Sequence, residues 1–173
     1  MTTIPYVESR HKGGKQKPTA ILLSTSFTTS EEGAALGLAY AWHSSTSPVN
    51  PGHYVVDGES VYRCTYDNVV AGDSRFTDKG AIRIIICAEP VSRTEFWDTE
   101  VHRKVLRRTA GLVADLALAY NIRIRYLDES GKNSWDKLKW RRRGGIILDV
   151  PDGWPADTFL DEVETHIVFK TFN

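Results

Sequence analysis

The sequence predicts an α/β domain, a central mixed β-sheet flanked by helices, and three observations carry that expectation. Ala81-Ile-Arg-Ile-Ile-Ile-Cys87 is a continuous, β-branched run, the pattern of a central strand buried on both faces. Val101, Val105, Thr109, Leu112, Leu116 and Tyr120 keep a spacing of three and four, with Arg103, Lys104, Arg107 and Arg108 largely off that stripe, the pattern of an amphipathic helix. Strand-like and helix-like segments also alternate along the chain rather than falling into blocks. At 173 residues the chain fits one domain with a sizeable core, and no repeat or internal linker divides it.

Residues 10–18, basic and glycine-containing without periodicity, read as a solvated loop, so 1–17 is expected to be a lead-in to a domain over 18–165. Ala20-Ile-Leu-Leu-Ser24 is a short apolar run that suits a buried strand. Thr28 to Ser30 offer helix caps, and Ala34, Ala35, Leu38 and Trp42 then recur at near-helical spacing, which predicts a helix over 31–43. His53 to Asp57 and Ser60 to Cys64 read as two strands around a tight turn, and Val69 to Ala71 starts a third. The long helix is expected over 95–120, closed by Asn121. Ile122 to Tyr126 alternates like an edge strand, and Gly144-Gly145 precedes a short strand at Ile146 to Leu148. Asp157 to Val168 reads as a closing helix. The tail over 166–173, with Ile167-Val-Phe-Lys-Thr-Phe, suits either docking to a partner or a last strand.

Composition excludes some functions. The formal net charge is zero, which argues against long-range attraction to nucleic acid or an anionic membrane. No apolar stretch is long enough to span a bilayer, and the segment from Met1 to Tyr6 lacks the pattern of a signal peptide. The two cysteines, Cys64 and Cys87, form no CxxC pair and read as packing residues. There is no G-x-S-x-G elbow and no glycine-rich phosphate loop. Glu89, Asp73 and Asp78 would sit near a cleft, but a carboxylate pair for sugar hydrolysis cannot be read from their spacing. The basic run that ends in Lys139, Trp140, Arg141, Arg142 and Arg143 is the one candidate contact for an anion, a nucleic acid or another partner. A solvated basic loop explains it as well.

Several of these segments, in order, resemble a known family. Ile21-Leu-Leu-Ser24-Thr25-Ser26 stands where that family has I-V-L-H-T-T-E, and Ala34-Ala-Leu-Gly-Leu-Ala-Tyr-Ala-Trp42 where it has an A-x-x-L-A helix. Pro51-Gly-His53-Tyr54-Val-Val-Asp57 parallels S-A-H-Y-V-V-D, and Val61 to Ala71 parallels V-Y-Q-x-V-x-D-x-x-V-A. Asp149-Val-Pro-Asp-Gly153-Trp-Pro155-Ala-Asp157-Thr-Phe-Leu160 parallels D-P-G-P-G-F-P-W-D-x-F-L. In this order the segments resemble the type-2 N-acetylmuramoyl-L-alanine amidases, the family that includes the peptidoglycan-recognition proteins, and within it the amidase domains of mycobacteriophage-type lysins.

The resemblance implies a zinc with three protein ligands and one open position: a His ending the first strand, a second His late in the chain, and an Asp, Cys or His several residues later. Here the first position is Ser24, and no histidine lies between His102 and His166. Asp149 takes the third ligand position in one alignment; in a shifted one it replaces the second His, and Asp152 takes the third. Both histidines are lost either way, leaving too few donors for a tight zinc site. A substitute site would need His43, His53, Cys64, Cys87 and Asp149 to converge. The expectation is therefore a degenerate, non-catalytic relative, with no cofactor. It would bind peptidoglycan or muropeptide in a groove lined by Trp42, His53 and Tyr54, or serve as an interaction module for another phage protein, in a virion or in the host cytoplasm. An active amidase with an atypical metal site is the alternative.

Overall fold

The computed structural model describes residues 3–26, 28–44, 51–72, 80–89, 91–127 and 144–172. Lys139 to Arg143, and likewise Asp73 and Asp78, lie outside the described residues. The elements run β1 (Lys12–Lys15), β2 (Ala20–Thr25), α1 (Ala34–His43), β3 (Tyr54–Val56), β4 (Val61–Arg63), β5 (Val69–Ala71), β6 (Ala81–Ile86), a 3-10 turn (Thr94–Asp98), α2 (Glu100–Tyr120), β7 (Gly145–Asp149) and α3 (Ala156–Phe172). Among them no helix is long and apolar enough to cross a membrane.

The five-stranded sheet has the order β4-β3-β6-β2-β7. Strands β3, β6, β2 and β7 are parallel neighbours, and β4 returns antiparallel to β3 as the second arm of the hairpin. The sheet is thus mixed, with β6 at its centre, as its β-branched run requires. Side chains alternate between the faces of a strand. Ile82, Ile84 and Ile86 enter one core with Val105, Val113 and Phe159 of α2 and α3; Ile85 and Cys87 enter the other with Ala35, Ala39 and Trp42 of α1. Each fully buried isoleucine contributes roughly 2 kcal/mol of transfer free energy.

Helix α2 starts at Glu100 instead of 95. Thr99 is extended (φ −73°, ψ 153°) and its side chain accepts from the His102 N–H, so the preceding 3-10 turn and the helix are separate. Asn121 closes the helix in the left-handed conformation, as expected. Helix α1 starts at Ala34 instead of 31, with Gly33 at φ 85° as its N-cap and no side-chain cap of its own. The cap comes from elsewhere: Asp57 Oδ2 accepts the Ala35 N–H at 2.9 Å, while its Oδ1 accepts from Glu59 and Ser60 N–H.

Other expectations need correction. The 10–18 loop contains β1, which pairs antiparallel with β5, and Pro5 to Val7 lie along β4 through Arg63 N–H to Pro5 O and Val7 N–H to Arg63 O. Gln16 ties this layer to the main sheet: its amide donates to Asp67 O and Ala81 O and accepts from Gly80 N–H. Pro5 to Val7 and Lys12 to Gln16 are therefore hydrogen-bonded to the strands of the domain. The 122–126 segment forms one bridge, Tyr126 to Ile146, and no strand. Residues 166–172 form the end of α3 and not a strand, since the helix continues to Phe172 and Lys170 Nζ reaches Asp115 on α2.

Candidate functional site

In a parallel sheet, groups that a ligand can reach collect at the carboxyl ends of the strands, where loops leave the layer. Ser24 and Asp149 meet there. They are register partners on β2 and β7, and Ser24 Oγ donates to Asp149 Oδ2 at 3.2 Å. Ser24 is buried and Asp149 exposed, so the pair presents a carboxylate to solvent on a hydroxyl foot. Beyond Ser24, the Ser26 N–H donates to Ile86 O and the Ser26 and Thr28 hydroxyls share a 2.5 Å hydrogen bond. Ser30 Oγ donates to Cys87 O at 2.8 Å. The edge is thus lined by hydroxyls, a signal already present in the alternation of Ser24 and Ser26 on one strand face.

The turn that follows Asp149 is pinned. A Cβ on Gly153 would stand 2.7 Å from backbone atoms of Ser92 and Arg93, so only glycine lets the two loops touch. Trp154 packs edge-on against Trp97, with centroids 4.9 Å apart, and against Phe159 at 5.1 Å. Phe96 in turn stacks on His102 at 3.7 Å. This aromatic floor fixes the turn that carries Asp152, which is exposed. The role of Trp97, Trp154 and His102 as that floor is not visible in the motif itself.

The donor set does not fit a zinc ion. A serine hydroxyl is a poor ligand, and here it is committed to the one carboxylate beside it. Among the described residues no three of His, Cys, Asp and Glu are grouped to hold a metal. The substitute set does not assemble. His43 Nδ1 bonds Glu8 O at the end of α1. Cys64 and Cys87 are buried, and burial pushes their thiols up to about 12 and about 11, so both stay neutral. His53 is buried, with Nδ1 accepting the Arg83 N–H at 2.9 Å and Nε2 against Val69 O at 2.8 Å. Burial pulls its imidazole down to about 4.

The three residues expected to line a groove are buried. Trp42, His53 and Tyr54 are 0%, 2% and 1% exposed. Trp42 fills the core under α1, His53 joins β5 to β6, and the Tyr54 hydroxyl accepts from Arg63 Nε and Nη2. Aromatic residues beside a strand look alike in sequence whether they pack or face a ligand.

No family model matches the chain, and no curated protein matches it by sequence. Solved structures do match it. A mutant endolysin from Bacillus subtilis superposes with a TM-score of 0.66 at 15% identity, over 94% of this chain and 99% of the other. The Staphylococcus aureus hydrolase AmiA, solved in complex with its ligand, gives a TM-score of 0.67 at 10% identity, over 98% of this chain and 85% of the other. The N-acetylmuramoyl-L-alanine amidase LysC from Clostridium intestinale gives 0.57 at 12% identity, over 95% and 99%. At these identities the likeness is one of fold, and the chain has the α/β fold of the amidase and endolysin catalytic domains.

Proposed function

We propose that this domain binds peptidoglycan at the carboxyl ends of β2 and β7 without hydrolysing it. The observation that carries the reading is the Ser24–Asp149 hydrogen bond, which places a hydroxyl and a single carboxylate together in a fold shared with peptidoglycan amidases. The exposed carboxylate of Asp149 can accept amide N–H or sugar hydroxyl groups of a muropeptide, and the hydroxyls of Ser26 and Thr28 extend the polar edge. Among the described residues no metal-ligand set and no activated nucleophile stands beside these groups, so binding is the chemistry we assign to them. The endolysin among the structural neighbours supports a phage or prophage setting.

The test is cosedimentation with purified, insoluble peptidoglycan, combined with an assay for amino groups released by amide cleavage. The expected result is sedimentation with the wall, no released amines, and weaker sedimentation for Asp149→Ala. Release of amines that a chelator abolishes would overturn the reading, as would a protein that stays in the supernatant.

A further inference from the structure

The sheet edge farthest from Ser24 and Asp149 carries a second feature with the character of a binding site. Tyr6 lies alongside β4, and Tyr66 follows β4 in the turn toward β5. Their rings stack with centroids 5.0 Å apart and an interplanar angle of 28°. Both remain open to water, Tyr6 at 39% and Tyr66 at 51%. Single exposed aromatics are ordinary, but two held together on the surface make a continuous apolar platform with polar tips.

The groups around the stack define what it can take. Lys12 is held by Glu8 and also reaches the Tyr6 hydroxyl. Arg63 donates to the Tyr54 hydroxyl and lies 3.9 Å from Asp67 Oδ2, which also accepts from the Tyr120 hydroxyl at 2.7 Å. Each of the two cations that flank the stack is thus set against a carboxylate. Such a patch offers aromatic faces, donors and acceptors in quantity, but little net charge. A phosphate-bearing ligand would find both cations already neutralised. An uncharged pyranose fits: its C–H face packs on a tyrosine ring, and its hydroxyls and acetamido groups exchange hydrogen bonds with the phenol groups, with Arg63 and with the exposed carboxylate of Glu8.

We propose that the Tyr6–Tyr66 stack, with Arg63 beside it, is a second binding site, for the uncharged N-acetylated hexosamines of a glycan strand. The site is independent of Ser24–Asp149: β4 is separated from β2 by β3 and β6, and Arg63 ends β4 level with Tyr54, at the amino end of the parallel strands. Identifying the glycan with that of the cell wall rests on the proposed wall-binding function, whereas recognition of the sugar itself does not.

Chitotetraose, an uncharged N-acetylglucosamine tetramer, is the probe, titrated into the full chain and followed by NMR and calorimetry. The expected result is perturbation of Tyr6 and Tyr66 ring resonances. Tyr66→Ala should lower affinity about tenfold and Tyr66→Phe should restore most of it. Unchanged melting of Tyr66→Ala would show that the fold is intact. No binding, or binding that Tyr66→Ala leaves intact, would overturn the proposal even if the protein sediments with peptidoglycan. Dissociation of a dimer by Tyr66→Ala would also overturn it, since the patch would then join two copies of the chain. Chitotetraose bound at the stack by a protein that ignores peptidoglycan would sink the wall reading and leave this site standing.

Discussion

The carboxylate of Asp57, at the end of β3, accepts the backbone N–H of Ala35 in the first turn of α1. With Glu59 and Ser60 N–H on its other oxygen, this fully buried side chain caps a helix and closes the β3–β4 hairpin together. Replacing it with alanine strands three backbone donors at once. Asp57→Ala is expected to lose on the order of 3 kcal/mol in urea unfolding, and Asp57→Asn less, because the amide oxygen keeps part of the acceptor set. Equal stability in all three proteins would show that the cap is not what starts the helix.

His53 gives the protein an acid-sensitive joint. Its ring is held neutral between Arg83 N–H and Val69 O, faced by the charges of Asp67 and Arg83, and burial lowers its pKa from 6.5 to about 4. Below pH 6.5 the unfolded chain takes up a proton that the folded chain refuses until about pH 4. Stability therefore falls as pH drops through that window and levels off below it, by roughly 3 kcal/mol at most from this group. Urea midpoints measured from pH 7 to 4 should show the slope, and His53→Gln should flatten it even if the variant is less stable overall.

Two glycines should respond in opposite directions. Gly145 opens β7 at φ 152°, and a Cβ there would meet Arg125 O at 2.8 Å and Leu127 Cδ2 at 2.9 Å. Gly145→Ala is expected to cost about 3 kcal/mol. Gly37 lies exposed inside α1 with open space around it, so Gly37→Ala should stabilise by about 1 kcal/mol. Thermal melts of the two variants against the parent provide the comparison.

How much of this was readable beforehand depends on whether an element's cause is local. Strand β6 and helix α2 carry their own patterns, because a strand covered on both faces must be continuously apolar and a helix against a sheet must carry a stripe. The 54–63 hairpin and the strand after Gly144 were equally plain. Strand β1 was not, since Lys12-Gly-Gly-Lys15 has no apolar alternation and its conformation comes from pairing with Val69 and Ala71. The start of α1 was hidden because its cap, Asp57, arrives through the fold. In the site, Ser24 and Asp149 stood out individually, whereas their pairing is a product of β2 lying beside β7. The burial of Trp42, His53 and Tyr54 could not be read in the sequence, because residue type does not distinguish packing from lining.

The central claim is that the Ser24–Asp149 edge binds without a catalytic metal, and zinc stoichiometry tests it most directly. The protein would be produced with zinc supplied, exchanged into metal-free buffer, and its metal measured by mass spectrometry. The account predicts far less than one zinc per chain, with peptidoglycan cosedimentation unchanged by chelator. One zinc per chain, released by chelator together with amide-cleaving activity, would contradict it.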